Sequence, residues 1–74
     1  MNLSKFKRIV AEYSGFDSTG EVSMSMTFAD DLILESDMYY EMLETMEEEF
    51  DVDILSHDGD FESLTELANI IKRG

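Results

Sequence analysis

The feature that most constrains the fold is an amphipathic repeat between residues 36 and 50. Apolar side chains recur there at helical spacing and share one face, whereas acidic side chains share the other face with Tyr40 among them. The apolar face comprises Tyr39, Met42, Leu43, Met46 and Phe50, and the polar face comprises Asp37, Glu41, Glu44, Glu47 and Glu48. Such a helix gains most of its stability by packing its apolar face against other elements. The segment therefore predicts a helix over 36–50 within a helical core.

The beginning of the chain predicts another amphipathic helix, over residues 3–14. Asn2 or Ser4 can cap its start, and Gly15 can end it in the left-handed conformation. One stripe of this helix is apolar and consists of Leu3, Phe6, Ile9, Val10 and Tyr13.

The end of the chain predicts a further helix, over residues 63–73. Ser63 and Glu66 stand at the spacing of a capping box, and Lys72 and Arg73 lie where cations suit the helix dipole. The buried face would comprise Leu64, Leu67, Ala68, Ile70 and Ile71. Gly59 marks a turn before this helix, and a short helical turn is expected near 57–61.

Residues 15–35 lack a helical period but remain rich in apolar side chains, which predicts a long loop that packs on the helices. Val22, Met24, Met26 and Phe28 alternate as in a strand. A lone strand without a partner is not viable, so an extended loop is favoured. With 74 residues, the chain is expected to form one all-α domain spanning 1–74.

The charge of the chain excludes several classes of function. Five basic and eighteen acidic residues give a net charge of −13. A generic nucleic-acid binder needs cationic phosphate contacts, and an anionic membrane surface would repel this chain. There is no cysteine, and no apolar run is long enough for a signal peptide or a spanning helix. We therefore expect a cytoplasmic protein with no nucleic-acid or membrane partner.

The distribution of charge indicates a basic partner. All five basic residues lie near the ends of the chain, and eleven of the acids fall within residues 30–53. Acidic runs are usually solvated faces that maintain solubility. Here the acids are interleaved with apolar residues at helical spacing, so they belong to a folded surface that can steer basic proteins toward it.

The chain resembles the acyl carrier protein family along almost its whole length. The resemblance consists of an ordered set of short motifs, none of which is diagnostic alone. The motifs are Phe28-Ala-Asp-Asp-Leu32, Ser36, Glu47-Glu-Glu-Phe50, Val52, Ile54, the opening Phe6-Lys-Arg-Ile-Val-Ala-Glu12 and the closing Phe61-Glu-Ser-Leu-Thr-Glu-Leu-Ala-Asn-Ile-Ile71.

The resemblance implies a small four-helix bundle with three long helices and a short one. It implies that Ser36 carries 4′-phosphopantetheine, transferred from coenzyme A, and that acyl groups ride on this arm as thioesters in fatty-acid, polyketide or related biosynthesis. The chain itself would catalyse nothing. The implied partners of this monomer are a phosphopantetheinyl transferase and acyl-transfer or synthase enzymes with basic patches. The implied docking residues are Glu35, Asp37, Tyr40, Glu41, Glu44, Glu47 and Glu48.

The sequence departs from the family at the attachment motif, where Glu35-Ser36-Asp37 replaces the usual Asp-Ser-Leu. Taken alone, Ser36 is most often a helix N-cap. The departure therefore motivates a second hypothesis, an unmodified acidic interaction module with a carrier-like fold. A more remote hypothesis is a nucleic-acid mimic.

Other candidate residues favour structural interpretations. The methionines are core filler by default, or they line an adaptable apolar cavity. Tyr39 is bulky where the family often has a small residue beside the acyl pocket, so an inward Tyr39 would shorten or close that pocket. His57 is expected at the surface, with no catalytic or metal site. The spacing after Asp51 fails the calcium-loop pattern because Ser56 stands where glycine is needed.

Overall fold

A computed structural model describes residues 1–32 and 34–74, and in them the chain forms three α-helices: α1 (Leu3–Ser14), α2 (Ser36–Phe50) and α3 (Leu64–Arg73). Two 3₁₀ turns, Thr19–Glu21 and Leu55–His57, lie in the connections. The predicted helices over 3–14 and 36–50 are confirmed, and the last helix begins one residue later than expected because Ser63 is its cap.

The all-α class is confirmed, whereas a count of four helices is not. The short helical turn that we expected near 57–61 was placed wrongly, since the turn in this region is Leu55–His57. It begins after buried Ile54, which anchors the chain as it leaves α2. Ile33, which belongs to the predicted loop, lies outside the described residues.

Local signals determine where α1 begins and ends. The Asn2 side chain accepts a hydrogen bond from the Lys5 backbone N–H at 3.1 Å, so Asn2 rather than Ser4 is the cap. Gly15 ends the helix with φ +77°, a conformation that glycine adopts without steric cost. At the other end, the Asn2 side chain satisfies one of the backbone N–H groups that the start of a helix leaves without an intrahelical partner.

The core lies where the three helices meet. Phe6 and Val10 from α1 are completely buried. They share the interior with side chains from the other helices and from the chain between them, namely Met42, Leu43, Met46, Ile54, Leu64 and Leu67. Within the ranges described, no polar or charged residue is buried, so the acids are left on the surface.

The loop after α1 packs as predicted and also completes the start of α3. Val22 and Leu32 are buried. The backbone N–H groups of Leu64 and Thr65 donate to the carbonyl oxygens of Met26 and Met24, each at 3.0 Å. These donors are among the four that a helix start leaves free. The extended loop thus finds its hydrogen-bond partners in the chain entering α3 rather than in a sheet.

Candidate functional site

Ser36 is the first residue of α2 and is exposed to solvent. Glu35 occupies the N-cap position with φ −70° and ψ 155°, and its side chain makes no capping hydrogen bond. The Ser36 hydroxyl has no hydrogen bond to any residue in 1–32 or 34–74. The interpretation of Ser36 as a helix cap is wrong, because the cap position is Glu35 and Ser36 is the first helical residue.

The first turn of α2 can accommodate an anionic group on Ser36. The Met38 N–H is taken by Asp37 Oδ1 at 2.9 Å, and the Tyr39 N–H by the Glu35 carbonyl at 2.8 Å. The N–H groups of Ser36 and Asp37 have no such partner among the residues described. Free N–H groups and the helix dipole favour a phosphate ester at this place, so the residues present fit a phosphodiester on the serine.

A tight turn positions the chain ahead of Ser36. The Asp31 carboxylate accepts hydrogen bonds from the Thr27 N–H at 2.9 Å and from the Thr27 hydroxyl at 3.2 Å. The backbone N–H groups of Asp31 and Leu32 both donate to the Thr27 carbonyl at 3.1 Å. Leu32 is then buried, which anchors the chain four residues before the exposed serine.

Most residues expected to dock partners lie on one exposed face of α2 and its approach. The exposed members are Glu35, Asp37, Tyr40, Glu41, Glu44 and Glu48. Tyr40 is 43% exposed, so this acidic face carries a large partly apolar side chain near Ser36. Aromatic side chains of this kind are frequent anchors of protein interfaces.

Glu47, which the sequence placed with the docking residues, is half-buried and has an internal role. Its Oε2 accepts hydrogen bonds from the backbone N–H groups of Ile54 at 2.7 Å and Leu55 at 2.9 Å. Glu47 stands four residues after buried Leu43, at the border between the two faces of the helix. It therefore holds the chain that leaves α2, a role that helical spacing alone did not reveal.

Glu49 is partnered by a base from another helix. Lys5 Nζ lies 2.7 Å from Glu49 Oε2 and donates to the Glu49 carbonyl oxygen at 3.2 Å, with its ammonium 5.5 Å from the centre of the Phe50 ring. In the sequence, acids at this end of α2 oppose the helix dipole. In the folded protein Lys5 supplies the missing cation to Glu49, and Glu47 accepts from backbone N–H groups. Among the residues described, Glu48 is thus the one of the three consecutive acids with neither an ion-pair nor a hydrogen-bond partner.

Two tyrosines of α2 converge on one carboxylate, which the sequence analysis did not foresee. The Tyr40 hydroxyl donates to Asp58 Oδ2 at 2.9 Å, and the Tyr39 hydroxyl donates to Asp58 Oδ1 at 3.4 Å. Burial, followed by the charge of Asp58, raises the pKa of Tyr39 to about 12. The hydrogen bond to Asp58 raises the pKa of Tyr40. Both phenols therefore remain proton donors at neutral pH.

Tyr39 also takes part in an aromatic row. Its ring meets that of Phe28 edge-on at 5.6 Å between centroids, and Phe28 meets Phe61 at the same distance. Thr27, Phe28, Ala29, Asp30, Phe61 and Glu62 line an adjoining open groove of about 300 Å³. The inward orientation considered for Tyr39 is thus partly realised, because the ring is half-buried against Phe28.

The remaining candidate residues lie in the core or at the surface. Met42 and Met46 are completely buried and Met24, Met26 and Met38 are half-buried, as expected of core filler. His57 is exposed, with Nδ1 3.5 Å from Asp60 Oδ2. The described part of the chain holds no group of three or more potential metal ligands. It also contains no helix with the length and apolar character needed to cross a membrane.

The chain is similar to a known protein over nearly its whole length. A protein of Clostridium acetobutylicum named acyl carrier protein is 34% identical over 73 residues, which cover 97% of this chain and 94% of that protein. No family model matches the chain, and no solved structure does.

Proposed function

The chain belongs to the acyl carrier protein family, and from that membership we propose that it carries acyl groups on a 4′-phosphopantetheine arm joined to Ser36. The observation that carries the proposal is the exposed hydroxyl of Ser36 at the uncapped start of α2. On modification, the Ser36 hydroxyl oxygen would bond to the phosphorus next to the pantetheine arm of coenzyme A and lose its proton. The pyrophosphate P–O bond would break, and adenosine 3′,5′-bisphosphate would leave. The free N–H groups of the first turn would stabilise the phosphodiester charge. When bound, the arm supplies a thiol that holds the acyl group as a thioester.

The proposed docking face is the exposed acidic side of α2. Asp37, Glu41, Glu44 and Glu48 extend along the helix from Ser36, with Tyr40 among them. Charges at an exposed rim mainly speed the encounter with a partner of opposite charge and make it salt-dependent. We assign Glu35 to the same face beside the serine. Glu47 supports that face from within, by holding the following chain in place.

The partners in this proposal are a phosphopantetheinyl transferase and the acyl-transfer or synthase enzymes of fatty-acid, polyketide or related biosynthesis. Each would present a basic patch to α2. The carrier would work in the cytoplasm as a monomer and contribute no catalytic residue. The tethered arm would raise the effective concentration of the thioester at each partner's active site.

The test is the intact mass of the protein after incubation with coenzyme A, Mg²⁺ and a promiscuous phosphopantetheinyl transferase. The proposal predicts a gain of one phosphopantetheine group, which the Ser36→Ala variant does not show. Ser4→Ala is the matched control, because Ser4 is also an exposed serine in the first turn of a helix. That variant should be modified like the wild type.

The acids on both sides of Ser36 favour one second candidate, an unmodified interaction module. Glu35 and Asp37 are both exposed and add negative charge where a transferase must approach. If incubation with several transferases leaves the intact mass of the protein unchanged, that result favours this second candidate. Ser36→Ala would then leave the association with a basic protein partner unchanged.

A further inference from the structure

Tyr39, Tyr40 and Asp58 form a clasp between α2 and the segment 55–61 that the attachment of an arm does not require. Side chains at consecutive helix positions project about 100° apart, yet both hydroxyls reach the same carboxylate. Their rings pack edge-on against each other with centroids 5.1 Å apart. Both side chains therefore lean toward the same loop, and each restricts the other.

The clasp holds the exposed middle of the segment 55–61. In the part of the chain that the structure describes, side-chain hydrogen bonds join α2 to this segment at two places. Glu47 holds its start through the N–H groups of Ile54 and Leu55, and the clasp holds Asp58. Residues 56–60 are exposed, whereas Ile54 and Phe61 are buried on either side. Opening the clasp would free residues 56–60 while both flanking anchors stay in place.

Apolar side chains lie behind the clasp. Tyr39 contacts Phe28, which contacts the buried Phe61. On the inner face of α2, one turn beyond Tyr39, Met42 is completely buried and belongs to the core. The Tyr39 ring, hydrogen-bonded to Asp58 and packed on Phe28, thus lies half-buried at the edge of this apolar cluster, between α2 and the segment 55–61.

A long apolar chain carried on Ser36 would be driven toward such an interior, because burying each methylene group removes apolar surface from water. Ser36 begins the same helix, one turn before Tyr39 and Tyr40. Entry would require Tyr39 to move and the segment to separate from α2. A short or polar acyl group has little to gain from entry and can remain in water.

We propose that the clasp is a latch that keeps the seam between α2 and the segment 55–61 closed to long apolar chains, so that this carrier favours short or polar acyl groups. The statement about cargo rests on the proposed attachment at Ser36. The statement about the latch concerns the unmodified chain as well. The two parts can therefore be tested separately.

The latch is tested by hydrogen–deuterium exchange of the unmodified protein. Asp58→Asn removes the charge, and the double change Tyr39→Phe with Tyr40→Phe removes both hydroxyls while keeping the rings. We expect the amides of residues 56–60 to exchange roughly tenfold faster in both variants, whereas the Leu55 amide, held by Glu47, should keep its rate. Asp60→Asn is the matched control, since Asp60 is an exposed acid of the same segment whose described partner is His57. Equal exchange in all four proteins would overturn the latch, as would an equal increase in Asp60→Asn.

The cargo preference is tested by loading the wild type and Asp58→Asn with acetyl or octanoyl groups and comparing thermal melting. We expect the octanoyl group to raise the melting temperature of Asp58→Asn above that of its acetyl form, and to leave the wild type unchanged. Equal stabilisation of both proteins by octanoyl would overturn the preference. If Ser36 accepts no arm, the proposed function fails and the cargo preference with it, whereas the exchange comparison still decides the latch.

Discussion

Lys5 and Glu49 join the start of α1 to the end of α2 through a 2.7 Å ion pair, although they are 44 residues apart in sequence. The same ammonium donates to the Glu49 carbonyl oxygen, so it neutralises both an acid and the negative end of the helix dipole. Lys5, a base from α1, thus offsets the unfavourable interaction between the helix dipole and the acids at the C-terminal end of α2.

Replacing Lys5 with Gln should therefore destabilise the protein. Its side chain is 34% exposed and that of Glu49 is 47% exposed, so solvent screens the pair and the expected loss is about 1 kcal/mol. Lys7→Gln makes the same change in net charge on the same helix and is the control. Urea unfolding at low and high salt measures both variants. A Lys5 effect no larger than that of Lys7, at either salt concentration, would contradict the assignment.

Glu47 and Glu48 are adjacent acids for which we expect opposite consequences. Glu47→Ala leaves two backbone N–H groups without their acceptor and should lower the free energy of unfolding by about 2 kcal/mol. Glu48→Ala removes an exposed charge and should change stability by less than about 0.5 kcal/mol. Glu48→Ala should instead slow association with a basic partner enzyme. Denaturant unfolding and stopped-flow association distinguish the two, and similar stability losses would refute the internal role of Glu47.

Ser14 offers a change that should not weaken the protein. Its hydroxyl is buried and has no hydrogen-bond partner among the residues that the structure describes. Burying an unpaired hydroxyl is unfavourable, and alanine is the better helix former. Ser14→Ala should therefore raise the free energy of unfolding by about 0.5–1 kcal/mol.

Ser56→Ala provides the contrast to this change, because the Ser56 hydroxyl donates to Asp53 at 2.6 Å and its loss should be destabilising. Denaturant unfolding measures both variants. A destabilised Ser14→Ala would show that the hydroxyl is paired after all.

The raised pKa of Tyr39 predicts a loss of stability at alkaline pH. Its pKa is about 12 in the folded protein against a reference value of 10.0. Between these values the folded protein keeps a proton that the unfolded chain loses, so the free energy of unfolding falls as pH rises through this window. Tyr39→Phe should reduce that fall, as measured by urea unfolding at a series of alkaline pH values.

The role of Asp58 in this shift is tested by phenolate absorbance. Asp58→Asn removes a negative charge and replaces the carboxylate acceptor with a weaker amide carbonyl, so phenolate should appear at lower pH than in the wild type. Asp60→Asn should leave the pH at which phenolate appears unchanged. Coincident titrations of the wild type and Asp58→Asn would exclude Asp58 as a cause of the shift.

The helices were predictable from sequence because their determinants are local. Asn2, Gly15 and Ser63 each mark a helix boundary through contacts within a few residues. The apolar repeat of α2 likewise identified Met42 and Met46 as buried. The proposed role of Ser36 as the attachment residue was suggested only by the family resemblance, because a serine at a helix start has no distinctive chemistry by itself.

The contacts that shape the site were beyond sequence reasoning because they join distant residues. Tyr40 and Asp58 are 18 residues apart, and no spacing rule connects a helix residue with a loop carboxylate at that separation. Glu47 was assigned to the solvated face because the helical repeat describes angles around one helix. Whether the chain after α2 folds back to contact Glu47 depends on Ile54, which is buried in the core.

The hydrogen bonds from the start of α3 to Met24 and Met26 have a consequence for the order in which the chain can fold. The Thr65 hydroxyl and the Met24 carbonyl oxygen to which it donates are 41 residues apart in sequence. The first turn of α3 can form its final hydrogen bonds only after residues 24–26 have come to lie beside it. Formation of the last helix and ordering of the loop that leads to Ser36 should therefore be a single kinetic event, and a nascent chain should acquire both only when its C-terminal residues have emerged.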